Sequence, residues 1–320
     1  MRTVACPSLG RDVSALGFAC ASLGSRVSES QGRRALDRAF ERGVTWCDVA
    51  PTDADGAAES ILGRFLLGRR DRLVICTKFG RPRAKPSPLS RLLKPVARVA
   101  LKAFPYLRGD AARTKSSAIT PLRAEMIEDS VVQSLRRLRT DYVDVLVLDG
   151  PTSEECVDEA ILRALQRMVE KGYARAVSIA GAPETIIGAV RASAVYRIAQ
   201  FVDNPFEPAA DQLRAAFSRE AAPFFVTRSA FGRGAFERIA RALVMDGGRL
   251  AALASQLGYG PPFLASDLVL DYAFASNPEG VVLATMFNQA HIDLNCARAS
   301  LAPRHDVGPF VKKYFIGEHP

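Results

Sequence analysis

Three aspartates stand within eight residues in the stretch WCDVAPTDADGAAES: Asp48, Asp53 and Asp55. The stretch begins like the end of a buried strand and finishes like the start of a helix. Carboxylates stay in such places only when they are paired or used. Lys78 closes a second apolar run, LVICTKFG, and Asp149 closes a third, DYVDVLVLDG. An ammonium among carboxylates can hold or deliver a proton. Crowded carboxylates cannot all ionise, so one of them can keep a proton near neutrality. Asp149, at a strand end, is the better acid on this reading, because Asp53 is expected on a wet loop. Asp55 reads as a turn residue. Two other chemistries remain open. Lys78 could form a Schiff base in a lyase, although nearby carboxylates raise its pKa and oppose this. The carboxylates could also hold Mg2+ or Mn2+, hard ions that prefer oxygen ligands.

Those residues must be brought together by elements far apart in the chain. Apolar, β-rich runs lie at 13–23, 44–50, 73–80, 141–150, 175–181, 199–205, 223–231 and 280–287. Several are continuous apolar stretches, as parallel strands covered by helices require. Helical patterns alternate with them at 28–43, 56–68, 121–138, 157–172, 183–193, 208–220, 261–275 and 289–299. Ser28 or Ser30 suits an N-cap, and Gly43 and Gly172 suit helix C-termini. In the third helix Met126, Val131, Leu135 and Leu138 recur at helical spacing. Eight strand-then-helix units predict a (β/α)8 TIM barrel, one domain over residues 1–320. A doubly wound sheet would show a Gly-rich phosphate turn after its first strand, which FACASLGSRVSES lacks. In a barrel the strand C-termini converge, so Asp48, Lys78, Asp149, Gly181, Asn204, Arg228 and Thr285 are expected around one mouth.

The chain has 320 residues and a formal net charge of +9. Residues 81–121 hold ten Lys and Arg against Asp110 alone, so the basic excess belongs to one segment. That argues against a whole-surface nucleic-acid binder. The segment is a long basic insertion after the third strand, and loops of this length are usually functional or disordered. Within it, PLSRLLKPVARVALKAF (88–104) has an apolar face and a basic face. It is open to three readings: a lid packed on the barrel with its charges in water, a site for an anionic substrate or partner, or a peripheral membrane contact. Few aromatics interleave its charges, which disfavours nucleic acid. Tyr106 in this segment is a candidate phenol. Six cysteines without a C-x-x-C pair read as buried thiols in a reducing, cytoplasmic compartment. His291, His305 and His319 are the only histidines, too few and too late in the chain for a multi-histidine metal site, so no metal is expected. No apolar run reaches the roughly 20 residues of a membrane span, and Pro7 and Arg11 make the N-terminus a poor secretory signal.

Taken in order, the motifs resemble the aldo-keto reductase family from Leu16 to about Ala299. LGFACASLG resembles the family's opening L-G-x-G-x-x-x-L-G. FERGVTWCDVAPTDADGAAESILGRFL resembles its D-T-A-P-x-Y-G segment, LVICTKFG its T-K-x-G, and SLRRLRTDYVDVLVLDGP its S-L-x-R-L-x-x-D-Y-x-D. IAQFVDNPF, TRSAFGRG and ATMFNQAHIDLN resemble three later segments in turn. The resemblance implies hydride transfer from NADP or NAD to a small carbonyl compound. It places Asp48 and Lys78 at the family's aspartate and lysine. The family's tyrosine reads Asp53 and its histidine reads Asp149. The cofactor residues implied are Gly181, Gln200, Arg228, Ser229, Gly232, Thr285, His291 and Asn295. Gln200 would meet the nicotinamide amide, Asn295 would lie near the adenine, and Arg228 replaces a stacking aromatic. Thr285 and His291 stand where Lys and Arg often hold the 2′-phosphate. A free aspartate, with a pKa of about 3.9, is ionised and cannot donate as a tyrosine does. The readings are therefore a divergent oxidoreductase, a barrel turned binding or regulatory protein, or a lyase or metal-dependent enzyme on the same scaffold.

Overall fold

A computed structural model describes residues 1–81, 121–245, 255, 257–259 and 265–316. Eight parallel strands close into a barrel: β3 (Leu16–Ala19), β4 (Trp46–Asp48), β5 (Val74–Gly80), β6 (Val143–Asp149), β7 (Ala174–Ala180), β8 (Tyr196–Val202), β9 (Phe224–Arg228) and β10 (Val281–Ala284). β10 pairs with both β9 and β3, so the sheet has no free edge. The expected (β/α)8 barrel is the fold. The helices between strands are α1 (Glu29–Glu41), α2 (Ala57–Phe65), α3 (Glu125–Leu138), α4 (Glu159–Glu170), α5 (Pro183–Ala192), α6 (Ala210–Ala215), α7 (Ala235–Met245), α8 (Ala265–Ser276) and α9 (Gln289–Ala299); α10 (Val307–Val311) follows.

Strand periodicity decides what fills the barrel. Trp46, Val74, Cys76, Val145, Val147, Ile198, Phe224 and Val226 are buried in one interior cluster and alternate by two along their strands. The same parity carries Asp48, Lys78, Asp149, Gln200 and Arg228 toward the axis at the strand C-termini. The opposite end is filled by a hairpin of β1 (Thr3–Cys6) and β2 (Arg11–Ser14), whose Val4, Cys6 and Val13 join the interior cluster. Helix stripes cover the outside. In α4, Ile161, Ala164, Leu165 and Met168 are buried at helical spacing, and each large apolar side chain buried this way stabilises by about 1.5–3 kcal/mol. Asp158 caps this helix by accepting from the Ile161 N–H at 2.9 Å. Gly172 ends it with a left-handed φ of 74°. Ser28, not Ser30, caps α1, accepting from the Gln31 N–H.

Several expected elements are corrected. The strand predicted over 13–23 is divided between β2 and β3, because the chain turns through Pro7–Gly10 into a hairpin before entering the barrel. The strand predicted at 199–205 starts at Tyr196, with exposed Arg197 alternating against buried Ile198. It stops at Val202, because Asp203 Oδ1 accepts from the N–H groups of Ala209 and Ala210 and starts α6. α6 is therefore shorter than the 208–220 pattern. The helix α7 was not expected from the pattern. In α3 Met126 is 51% exposed, and Ile127 takes the core position instead. The chain divides into a barrel unit, Met1–Gly80 with Arg123–Pro320, and a second unit, Arg81–Leu122. The amphipathic helix expected over 88–104 and Tyr106 lie outside the described residues. All six cysteines are free and buried. No helix among the described residues is long and apolar enough to cross a membrane.

The contact between α2 and α3 makes a sharp test. A Cβ on Gly63 would lie 2.3 Å from the Arg137 carbonyl oxygen and 2.9 Å from Leu138 Cα. Gly63→Ala is expected to destabilise the protein by about 1–3 kcal/mol in urea unfolding, despite the better helix propensity of alanine. Gly188, in α5, has nothing within 4 Å of such a Cβ. Gly188→Ala is expected to stabilise by about 0.5–1 kcal/mol. Equal effects at the two sites would contradict this packing.

Candidate active site at the barrel mouth

Lys78 sits near the end of β5 and Asp48 ends the neighbouring β4, so the pleat brings both side chains inward on adjacent strands. Lys78 Nζ lies 2.7 Å from Asp48 Oδ1. It also donates to Gln200 Oε1 at 3.0 Å. Gln200 Nε2 in turn donates to Asp48 Oδ2 at 2.9 Å and faces Cys76 Sγ at 3.3 Å. Gln200 comes from β8, on the far side of the ring from β4. An eight-stranded barrel is narrow enough for side chains to fill it, so this amide closes a triangle across the interior. Burial pushes the Lys78 amine down, but the charges of Asp48 and Asp149 outweigh it and the pKa is raised. Lys78 is therefore an ammonium at neutral pH. Burial also pushes the Cys76 thiol well up, with Asp48 adding to the effect, so that thiol stays neutral.

Asp149 ends β6, the next strand, opposite Gly80 in register. It is half-buried, and its carboxylate is among the charges that hold Lys78 protonated. Among the described residues Asp149 makes no ion pair or side-chain hydrogen bond. A Cβ on Gly80 would stand 2.8 Å from the Asp149 carbonyl oxygen, so glycine is what lets the two strand ends come this close.

Asp53 is not on a wet loop: it is 6% exposed. Its Oδ2 accepts from the Ala50 N–H at 2.9 Å, while its own N–H donates to the Ala50 carbonyl at 3.0 Å. The carboxylate thus ties down its own turn. Ala54 and Asp55 follow with φ near +50°, a left-handed conformation that costs about 1–2 kcal/mol per residue. Asp55 is exposed, as a turn residue should be. The sequence reading missed Glu59, which reads as an ordinary helix acid. Its carboxylate is fully buried, accepting from Thr77 Oγ1 at 2.8 Å and from Arg137 Nη1 at 3.0 Å. It pins α2 and α3 to the strand that carries Lys78. The signal for it was its place in the first turn of the helix that follows the strained segment.

The remaining predicted residues lie along the rim or behind it. Gly181 follows β7, its N–H on the Gln200 carbonyl at 3.2 Å. Arg228 ends β9, facing inward. Ser229 comes next with φ +62°, and its carbonyl accepts from the Gly232 N–H at 2.7 Å and from Asn204 Nδ2 at 3.3 Å. Thr285 and His291 are exposed, beyond β10 and in the first turn of α9. Asn295 is buried, and its Nδ2 faces Met286 Sδ at 3.6 Å. Gln200 is fully buried with both ends of its amide engaged. Among the described residues no cluster of three or more His, Cys, Asp or Glu is arranged to hold a metal ion.

The sequence model of the aldo/keto reductase family matches residues 15–225. An uncharacterised oxidoreductase of Bacillus subtilis, YqkF, is 28% identical over 176 residues, which is 55% of this chain and 47% of that protein. The chain spans about half the length of the curated relatives it matches. The fold is similar to aldo-keto reductase AKR11C1 of Bacillus halodurans, with a TM-score of 0.72 at 22% identity over 98% of this chain and 96% of that one. It is also similar to an aldo/keto reductase of Klebsiella pneumoniae solved with NADP and acetate, with a TM-score of 0.67 at 16% identity over 96% and 93% of the two chains.

The Lys78 pairing has a pH signature. A raised folded pKa contributes stability that is complete below the unfolded lysine value of about 10.4 and is lost as pH rises through the higher folded value. Asp48→Asn is expected to cost about 3–5 kcal/mol at pH 7. The gap from wild type should narrow as urea unfolding is repeated above pH 10. A gap that stays constant to pH 11.5 would show that the ammonium is not what Asp48 holds.

Proposed function

The chain belongs to the aldo/keto reductase family, and from that premise we propose that it interconverts a small carbonyl compound and its alcohol with a nicotinamide dinucleotide. The observation that carries this reading is the ammonium of Lys78 held at the barrel mouth by Asp48 at 2.7 Å. When bound, the dinucleotide supplies a hydride to the carbonyl carbon. The protein must then protonate the oxygen that gains the electron pair. Two of the three Lys78 N–H directions are taken by Asp48 and Gln200, which leaves one for a carbonyl oxygen. A raised lysine pKa does not prevent donation, because an alkoxide is about as strong a base as hydroxide and far stronger than an amine. Half-buried Asp149 links Lys78 to solvent and returns its proton. Asp53 supports the same mouth by fixing the turn after β4, in place of a phenol.

The cofactor would rest on Ser229 and Gly232 in the turn after β9, on Gly181, and on the exposed Thr285 and His291, with Asn295 behind them. The fit is best on the phosphate side. There, exposed hydroxyl, imidazole and backbone groups stand at the start of α9, and a helix N-terminus favours anions. Neither Thr285 nor His291 is a permanent cation, which supports use of either NADP or NAD. Arg228 stands at the ring end. Six free, buried thiols suit a reducing cytoplasm. The basic segment at 81–121 is proposed to meet an anionic substrate or partner. A second reading, a barrel that binds without hydride transfer, is favoured by Gln200, whose amide is already engaged by Lys78 and Asp48.

Cofactor fluorescence separates the two readings. NADPH or NADH is expected to bind with micromolar affinity, and no binding up to millimolar concentration would leave the binding-protein reading. With an aldehyde substrate, Lys78→Met is expected to lower kcat/KM by about 10²–10⁴-fold while cofactor affinity is kept. Asp149→Asn is expected to lower kcat at least tenfold, and an unchanged rate would remove Asp149 from the proton path.

A further inference from the structure

Four charged side chains occupy inward strand positions at the mouth: Asp48, Lys78, Asp149 and Arg228. Asp48 and Lys78 neutralise each other. Arg228 has no such partner. Among the described residues no hydrogen bond or ion pair reaches its guanidinium, and its Nε is shielded from solvent with no acceptor. A shielded donor without an acceptor is costly, and more so on a charged group.

Two acids on the adjoining β8 end and the turn after it are committed elsewhere. Asp203, which donates its N–H to the Arg228 carbonyl, turns its carboxylate to the Ala209 and Ala210 N–H groups and to Ser276 Oγ at 2.6 Å. Glu207 pairs with Arg233 at 2.7 Å and takes Asn204 Nδ2 at 3.4 Å. Arg233, on the surface, is thus compensated while Arg228, in the mouth, is not.

The backbone around Arg228 is fixed on both sides. Before it, the β8–β9 ladder runs in register to Val202 opposite Arg228. After it, Ser229 is held in the left-handed region with its carbonyl bonded twice. A Cβ on Gly232 would stand 3.1 Å from Ser229 Cβ and 3.2 Å from Asn204 Nδ2, so the turn is tightly packed. Strain of this kind in a non-glycine residue persists where the surroundings enforce it, and such places cluster at binding sites.

We propose that Arg228 is the anchor for a carboxylate on the substrate, so that this protein acts on carbonyl compounds that bear a carboxylate. The inference rests on the proposed carbonyl chemistry at Lys78. A planar guanidinium with free parallel N–H donors matches a carboxylate in two hydrogen bonds. Asp149, the other uncompensated charge, disfavours an anion at its own strand end. The carboxylate is thereby directed to the β9 side and the carbonyl to the Lys78 side. The mouth selects orientation by charge as well as by fit.

A matched pair of probes tests this: 4-formylbenzoate and its methyl ester, which share the aldehyde and differ in charge. Wild type is expected to favour the acid at least tenfold in kcat/KM, mainly through KM. Arg228→Gln is expected to erase that acid-over-ester preference, and Arg228→Lys to keep part of it. Equal use of acid and ester by the wild type would overturn the proposal and leave the carbonyl chemistry standing. If neither probe turns over, thermal shift replaces kinetics. Stabilisation by the acid alone, lost in Arg228→Gln, supports the anchor even though the proposed reaction has failed; equal shifts for acid and ester sink it. An Arg228→Gln variant that loses NADPH affinity and keeps the acid preference would assign the guanidinium to the cofactor instead, and also overturns the proposal. Should that variant not fold, the wild-type acid-to-ester ratio decides alone.

Discussion

A buried ammonium has to be compensated from within the barrel, and this requirement organises the mouth. Lys78 keeps only 11% of its side chain exposed, so Asp48 and Gln200 supply most of what water would otherwise give its charge. Asp48 supplies the charge. Gln200 is neutral, yet it satisfies one oxygen of Asp48 and one N–H of Lys78 at once, which a buried pair needs if the cost of removing both ions from water is to be offset. Three strands are thereby locked to one another at the end where chemistry would occur.

The outer layer serves the same end. Glu59 is an acid with no exposure at all, and it is tolerable only because Thr77 and Arg137 both point at it. Thr77 faces outward from β5 next to Lys78, which faces inward. One residue pins the strand to its helices, and its neighbour presents the charge. Gly63 lets α2 press against the backbone at the end of α3, which places Arg137 over Gly56 and within reach of Glu59. The strained turn at Ala54 and Asp55 leads directly into this packing, which offsets the cost of its left-handed residues.

At the other end of the barrel the arrangement is purely structural. Asp144 is buried beneath Arg70 at 2.9 Å, with Arg175 at 3.6 Å, and both guanidiniums stack on Tyr142. Here Asp144 and the two guanidiniums above it are paired. Arg228, at the mouth, has no acid paired with it among the described residues.

The barrel, the pairing of Asp48 with Lys78 and the presence of Asp149 beside them were legible in the chain, because continuous apolar runs ending in polar residues encode strand, direction and mouth together. Strand parity then fixes which side chains face the axis. Sequence could not show that Gln200 is enclosed in the ion pair, that Asp53 folds back on Ala50, that Glu59 is fully buried, or that Arg228 has no acid. Each depends on which residues from distant strands and helices meet, and on how much water reaches them. Local pattern carries neither quantity: the hairpin of β1 and β2, the shift of β8 to Tyr196 and the exchange of Met126 for Ile127 were settled by the same long-range packing. The order of residues determined the ring and the charges upon it. Closure of that ring determined which charges are neutralised, because compensation is a property of distances that exist only once the strands have met.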